Sequence, residues 1–246
     1  MLSSDDNLYS FAPDKKLFTK IGLLGCMTTM QPNSMAVDRN AVAWVNYVGG
    51  GGRNGSGGVI FQVSTKDASC QPSPAMTLPA GWTQLGMAFS TNAGGGAVSE
   101  TLFVSGNGTG MGLGSIDLAA ATVTPIGAFT GLLAGQDAEL TGTGDGRLFG
   151  YFTTSPVNVA QIDKPTGATP SPVPMTGVST PSDWAFSFWG GHFYLYSAPG
   201  QGNGSDVIDY DPSTGSIDLT YMTGIGFTIV GAGVSTCAPT VPPPAQ

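Results

Sequence analysis

The sequence predicts an all-β fold, a five-bladed β-propeller, from three observations. The chain of 246 residues contains 38 glycines and 18 prolines, a composition that suits many short strands joined by turns. Two kinds of predicted hairpin alternate along it. Together they repeat about every 50 residues, a length typical of propeller blades.

One recurring unit is an alternating strand, a turn with acidic, Pro or Gly residues, and a second strand. Apolar and polar residues that alternate around a tight turn predict a β-hairpin. We expect this unit to form the outer strands of each blade. Its copies are LYSFAPDKKLFTKIG from Leu8, VIFQVSTKDASC from Val59, GSIDLAAATVTPIG from Gly114, AQIDKPTGATPSPV from Ala160 and VIDYDPSTGSIDLT from Val207.

The second recurring unit is a strand rich in small residues, a turn and a strand that carries an aromatic residue. We expect it to form the inner strands of each blade, with Trp44, Phe103, Phe149 and Tyr194 as the aromatic positions. Its copies are SMAVDRNAVAWVNYV from Ser34, LGMAFSTN with ETLFVSG from Leu85, AELTGTGDGRLFGYF from Ala138 and DWAFSFWGGHFYLYSA from Asp183, with a partial copy, TIVGAGVSTC, from Thr228.

The order of the units predicts how the ring closes. The chain begins with an outer pair of strands, and the segment from Thr228 to Thr236 supplies an inner strand at the other end. We therefore expect both termini to share one blade. The domain is predicted to span residues 7–238, with residues 239–246 as a Pro-rich tail or linker stub outside the fold. A two-sheet sandwich is the competing interpretation. It does not predict that the N-terminal strands complete the C-terminal one.

Charge and hydropathy exclude some functions. Only 10% of the residues are charged and the formal net charge is -8, so the clustered Lys and Arg of a nucleic-acid-binding protein are missing. No apolar run approaches the roughly 20 residues of a membrane helix, so no membrane span is predicted. Low Lys content is typical of secreted bacterial proteins. We expect an extracellular or cell-surface location, with an export leader outside this sequence.

The three cysteines, Cys26, Cys70 and Cys237, permit three single pairings and leave one thiol over in each. Their spacing fits no zinc motif. In an exported protein we expect one disulfide and one buried free thiol. Three unpaired thiols would be the arrangement in a cytosolic protein.

The segment SMAVDRNAVAWV resembles the strand pair of NHL-type propellers, and YDPSTG and IDKPTG are similar to outer turns of bacterial surface propellers. The whole chain resembles secreted propellers of myxobacterial type. Some NHL-like and gluconolactonase-like propellers are enzymes with a metal ion at the central channel. The resemblance implies no histidine-based metal site here, since His192 is the single histidine. It leaves open a carboxylate site of Asp137, Glu139 and Asp183.

In an antiparallel meander, the connections between blades lie on the same face as the loops between the second and third strands of each blade. Glycine-rich loops with Asn54, Asn107 and Asn203 belong to this face, and we interpret them as tight turns. GGGGRNGSGG is not a phosphate loop, because no Lys and no helix follow it. If the protein binds anything, we expect it to bind on this face.

The connections between blades on this face carry aromatic residues beside carboxyl and amide groups. An aromatic face and hydrogen-bonding groups are what sugar recognition needs. The candidate ligand-binding residues are Trp82, Gln84, Asp137, Glu139, Asp183 and Trp184. Packing between blades is the alternative role for Trp82 and Trp184, and bonding to backbone amides is the alternative for Asp183.

No catalytic constellation is found, and no cofactor is predicted. We expect a non-enzymatic extracellular module that binds glycans or protein partners at the loop-rich face. The alternatives are a metal-dependent hydrolase or lactonase that uses Asp137, Glu139 and Asp183, and a structural subunit of a surface assembly that is tethered through the C-terminal tail.

Overall fold

The computed structural model describes residues 1–50, 57–92, 99–106, 111–200 and 204–243. The regular secondary structure of the described chain is almost entirely β, in five antiparallel sheets of four strands each, with short 3-10 helices at Pro13–Lys15 and Gly131–Leu133. The five sheets are the blades of a propeller, so the predicted fold class is confirmed. No helix in these residues is long and apolar enough to cross a membrane.

Four blades follow the chain order from the innermost strand outwards. They are the first blade, β4 (Gln31–Val37), β5 (Val42–Val48), β6 (Gly58–Ser64) and β7 (Met76–Thr77); the second blade, β8 (Leu85–Thr91), β9 (Glu100–Gly106), β10 (Leu113–Asp117) and β11 (Thr122–Gly127); the third blade, β12 (Ala138–Gly142), β13 (Leu148–Phe152), β14 (Asn158–Gln161) and β15 (Val173–Pro174); and the fourth blade, β16 (Asp183–Trp189), β17 (His192–Ala198), β18 (Asp206–Asp211) and β19 (Ser216–Met222).

The remaining blade, called the closing blade, contains both ends of the chain. Its innermost strand is β20 (Ile229–Gly231), followed outwards by β1 (Leu2–Ser3), β2 (Asn7–Ala12) and β3 (Leu17–Leu23). Leu2 pairs with Gly231 and Ser3 with Ile229. The predicted closure is therefore present, although the N-terminal segment contributes three strands instead of the expected two, and the fold begins before residue 7.

The core is divided into five apolar clusters, one between each pair of neighbouring blades. Phe103, Phe149 and Tyr194, three of the predicted aromatic positions, are buried in these clusters. Trp44 is half-buried and its indole nitrogen donates to Asp38 at 3.2 Å. The aromatic residues of the inner units thus hold the blades against one another.

The outermost strands differ from blade to blade. In the first and third blades they shrink to two residues, Met76–Thr77 and Val173–Pro174. Prolines precede both strands, at 72 and 74 and at 170 and 172. Because proline has no N–H to give to a ladder, the predicted hairpins are interrupted there and pair again only after a longer loop.

The inner strands of the second and third blades pack backbone against backbone. A Cβ atom added to Gly86 would lie 1.8 Å from the Ala138 carbonyl oxygen, and one added to Gly142 would lie 2.0 Å from that of Phe89. Only glycine allows this approach. The contact brings the first residues of β8 and β12 together at one end of the channel.

Cys26 and Cys70 form a disulfide with a Cα–Cα distance of 5.0 Å. The prediction of one disulfide is confirmed. Cys237 is the free cysteine, and it is exposed instead of buried as predicted. Cys237 lies in the segment that follows β20. In this segment the side chain of Thr236 is buried, whereas the thiol of the next residue, Cys237, is exposed.

The chain after β20 crosses the end of the ring opposite the start of the inner strands. Thr236 Oγ1 donates to Glu100 Oε2 at 2.6 Å, and Gly190 N–H donates to the Pro239 carbonyl at 2.9 Å. Pro242 and Pro243 lie beside Gly190 and Gly191 in the turn between β16 and β17. Contacts with the propeller therefore continue past the predicted boundary at residue 238, at least as far as Pro243.

Candidate functional site

A cavity of about 260 Å³ lies where the five inner strands begin. Each inner strand contributes to its wall, through Pro32 in β4, Gly86 in β8, Glu139 in β12, Asp183 in β16 and Val230 in β20. Because the five inner strands surround the propeller axis, the cavity is the mouth of the central channel. We call it the channel-mouth cavity. It opens on the face that carries the connections between blades.

Five of the six predicted site residues line this cavity: Gln84, Asp137, Glu139, Asp183 and Trp184. Because the connections between blades all enter the innermost strands, residues that are distant in sequence meet at the axis. The cavity thus collects side chains from successive connections between blades and from the first residues of the strands that they enter.

Trp82, the sixth predicted residue, does not line the cavity. Its side chain is 4% exposed and belongs to the cluster between the first and second blades. The indole ring lies against Gly106 and Gly114, where added Cβ atoms would approach it to 2.7 and 2.6 Å. We therefore assign Trp82 a packing role, which was the alternative interpretation of its sequence position.

Glu139 is the buried carboxyl group of the site. It is 6% exposed, and Ser34 Oγ donates a hydrogen bond of 2.8 Å to its Oε2 atom. Burial raises the pKa of Glu139 well above its usual value, and the Ser34 hydrogen bond opposes this only in part. Desolvation thus favours the neutral form of a carboxyl group at the channel mouth.

An amide network fixes one side of the cavity. Gln84 Nε2 donates to Asn33 Oδ1 at 2.8 Å, and Asn33 Nδ2 donates to the Leu85 carbonyl at 2.8 Å. The fully buried Asn46 accepts hydrogen bonds through Oδ1 from Asn33 Nδ2 and from Leu85 N–H, each at 3.0 Å. The network ties the first blade to the second and holds Gln84 in place.

Sequence reasoning missed Asn33, Ser34 and Asn46. Asn33 and Ser34 precede the apolar part of β4, at positions that correspond to Asp137–Glu139 before the apolar part of β12. A comparison of the first residues of the inner units would therefore have indicated that Asn33 and Ser34 belong to the candidate site. Asn46 gave no such signal, since it lies in the apolar strand β5.

Asp183 and Trp184 begin β16 and form another side of the cavity. Asp183 is exposed, and Ser182 Oγ donates to its Oδ2 atom at 3.1 Å. Trp184 is half-buried and also packs against the cluster between the third and fourth blades. It therefore combines the packing role with a position on the cavity wall.

The three carboxyl groups do not form a metal site. Within the described residues, no group of three or more His, Cys, Asp and Glu side chains could hold a metal ion. Asp137, Glu139 and Asp183 line one cavity, but they do not make up such a group.

His192 lies at the other end of the blade, where β17 begins. Its Nδ1 atom is 2.9 Å from Asp209 Oδ1, and its side chain is 31% exposed. This contact with Asp209 indicates a structural role for the histidine of the WGGH turn. Asn54, Asn107 and Asn203, which were interpreted as tight turns, lie outside the described residues.

No protein-family model matches the chain, and no curated protein matches it. The resemblance to NHL-type repeats and to myxobacterial propellers therefore has no support from a family match. Solved structures, in contrast, share the fold.

A family 117 glycoside hydrolase from the marine bacterium Zobellia galactanivorans aligns with a TM-score of 0.51 at 11% identity, over 93% of this chain and 80% of the hydrolase. An exo-β-1,3-galactanase from Phanerochaete chrysosporium aligns with a TM-score of 0.47 at 10% identity, over 86% of this chain and 53% of the enzyme.

The extracellular domain of a hybrid two-component system from B. thetaiotaomicron aligns with a TM-score of 0.46 at 14% identity. The alignment covers 93% of this chain but only 28% of that domain, so the chain spans less than a third of its length. These similar structures differ in function, and at such low identity the likeness concerns the fold alone. The chain is therefore a five-bladed β-propeller whose family is not defined by these comparisons.

Proposed function

We propose that this protein is a non-enzymatic binding module outside the cell, and that it binds a glycan at the channel-mouth cavity. The observation that carries the proposal is the meeting of Trp184 with Gln84 and three carboxyl groups in one cavity on the propeller axis. A flat indole face suits the C–H groups of a sugar ring, and the polar groups suit its hydroxyls.

The size of the cavity indicates which part of a glycan it would hold. Its 260 Å³ is slightly below the roughly 300–1,000 Å³ of pockets for drug-sized ligands. One sugar unit, such as a chain end or a side branch, is the fitting occupant. The chain crosses the opposite end of the ring at Thr236 and Pro239, so a ligand would enter from the loop-rich face.

The extracellular location is part of the same proposal. It is supported by the disulfide between Cys26 and Cys70, because such bonds persist mainly in oxidising compartments. The low content of charged residues, 10%, agrees with the composition of secreted proteins.

A glycan array probed with the wild-type protein tests the proposal, followed by calorimetry with the best ligand. We expect Trp184→Ala to weaken binding about tenfold or more, since stacking and shape are lost. The matched control is His192→Ala, at the opposite end of the same blade, which should leave affinity unchanged. Blank arrays at high protein concentration would overturn the proposal. If Trp184→Ala bound the ligand with unchanged affinity, the binding site would lie elsewhere on the protein.

Two further measurements separate the other candidate functions. Sustained hydrolysis of chromogenic glycosides or lactones by the wild type, and its loss in Glu139→Gln, would show that the protein is an enzyme and not a binding module. Capture of one defined protein partner, together with blank glycan arrays, would instead support a surface-assembly role. We expect neither result.

A further inference from the structure

We propose that the closing blade binds one extended peptide strand of another polypeptide, between β2 and the residues that follow β20. This second site lies at the end of the ring opposite the channel-mouth cavity. Among the described residues, none lines both cavities. The proposal goes beyond the proposed glycan-binding function and does not depend on it.

The second strand of the closing blade is much shorter than its counterparts. β1 has two residues, whereas β5, β9 and β17 have seven each and β13 has five. Tyr9 in β2 is paired with Met1, and β2 then continues through residues 10–12. In the described structure, no residue of the second strand lies opposite this continuation.

A cavity of about 280 Å³ occupies the position of the missing strand segment. β2 lines one side of it, and residues 233–235, which follow β20, line the other side. The first blade contributes Val37 and the fourth blade contributes Trp189. We call this cavity the strand slot, because it has the same four neighbours as a second strand in the other blades.

Backbone groups face the strand slot from both sides. In an antiparallel ladder, the N–H and C=O groups of every second residue point to the same neighbouring strand. Tyr9 exchanges hydrogen bonds of 2.8 and 2.7 Å with Met1, so the N–H and C=O of Phe11 point to the slot. On the other side β1 pairs with Gly231, so those of Gly233 point to it as well. An inserted strand would pair with these groups, which a lipid chain could not do.

The walls of the slot indicate the side chains of the bound strand. Met1 packs towards the fourth blade and Leu2 towards the first blade, so successive residues along this line face opposite blades. Trp189 lines one wall and Met35 the other, and the described lining residues include no Asp, Glu, Lys, Arg or His. The fitting partner is therefore an uncharged strand with apolar or aromatic side chains on both faces.

The test uses a panel of blocked pentapeptides with Val, Ile, Phe or Tyr at the three central positions and Thr at both ends. Calorimetry with the 246-residue chain measures their affinities. The matched control is the best peptide with N-methyl groups on its central backbone nitrogens. We expect about tenfold weaker binding of this control, because it keeps the side chains and loses backbone donors. Equal affinity of the two peptides, or no binding by any member of the panel at millimolar concentration, would overturn the proposal.

Hydrogen exchange resolved by residue shows where the peptide binds. We expect the best peptide to slow exchange at the amides of Phe11 and Gly233. The outermost strands β3, β11 and β19 have open edges, where a peptide could pair without a specific site. Slower exchange in those strands, with none at Phe11 and Gly233, would overturn the proposal.

A fusion gives a second, independent test of the location. The best pentapeptide is joined directly to Met1, where it continues the line of β1 into the slot. We expect this fusion to melt at a higher temperature and to bind the free peptide at least about tenfold more weakly, because a tethered strand has a high effective concentration. A fusion of five Gly and Ser residues is the control and should change neither property. If the peptide fusion bound the free peptide with unchanged affinity, the strand slot would not be the site.

Discussion

Ser34 Oγ donates a hydrogen bond of 2.8 Å to Glu139 Oε2 across the central channel, although the two residues are 105 positions apart. The bond links the inner strands of the first and third blades, β4 and β12. It is the only hydrogen bond that the described contacts give to a carboxyl group with 6% exposure. Several properties of the protein are expected to depend on this pair and on the packing around it.

Stability should depend on pH through Glu139. Burial raises its pKa above the usual 4.5, so the folded protein binds the proton more tightly than the unfolded chain. Its contribution to stability is therefore fully present below 4.5 and is lost as pH rises through the raised pKa. In Glu139→Gln this loss should be absent, and the melting temperature of the variant should exceed that of the wild type increasingly with pH.

Thermal unfolding across a pH series measures the difference. Asp137 and Asp183 are the other carboxyl groups that line the cavity. Asp183→Asn is the control, because it removes an exposed carboxyl group from the wall of the same cavity. If the difference in melting temperature between Glu139→Gln and the wild type were the same at all pH values, Glu139 would not be titrating in this way.

Gly86→Ala should be strongly destabilising. The added Cβ would lie 1.8 Å from the Ala138 carbonyl oxygen and 2.9 Å from the Glu139 Cα, so the inner strands of two blades must separate. Since overpacking of a core costs typically about 1–3 kcal/mol and backbone atoms cannot rotate away, we expect about 3 kcal/mol or more. Denaturant unfolding gives the value. Gly25→Ala, with nothing within 4 Å of its Cβ, should change stability little.

The disulfide should contribute substantially to stability. Cys26 and Cys70 are 44 positions apart, and a loop of this size corresponds to about 2–4 kcal/mol. The Cys26→Ser, Cys70→Ser double variant should therefore melt well below the wild type, and a reductant should bring the wild type to the same temperature. Cys237→Ser should melt like the wild type, since that thiol is free and exposed. If the wild type, the double variant and Cys237→Ser had equal melting temperatures, the prediction would be wrong.

Thr236→Val should loosen the C-terminal segment. The hydroxyl of Thr236 donates to Glu100 Oε2 at 2.6 Å, and Glu100 Oε1 accepts the Arg39 N–H at 2.7 Å. Losing one hydrogen bond to a carboxylate should cost about 1–3 kcal/mol. Hydrogen exchange should rise in residues 233–243 before the rest of the closing blade. Thr122→Val, on an exposed outer strand, is the control and should leave exchange unchanged.

Much of the candidate site follows from the repeat. Once the second unit is assigned to the inner strands, the starts of these strands must converge on the axis, and this brings Asp137, Glu139, Asp183 and Trp184 to one cavity. The repeat does not determine whether a side chain in the connection before an inner strand turns towards the axis or between blades. Trp82 turns between blades, because Gly106 and Gly114 leave room there for its ring.

By itself, the sequence determined the fold class, the number of blades and the complementation of β20 by the N-terminal strands. These follow from hairpin periodicity and from glycine and proline in turns, which are local properties of the chain. Only the tertiary structure decided which cysteines pair, that the chain beyond β20 crosses the far end of the ring, and that Ser34 and Asn33 belong to the site. Those features depend on distances between blades, and distances between blades are set by packing that no local pattern encodes.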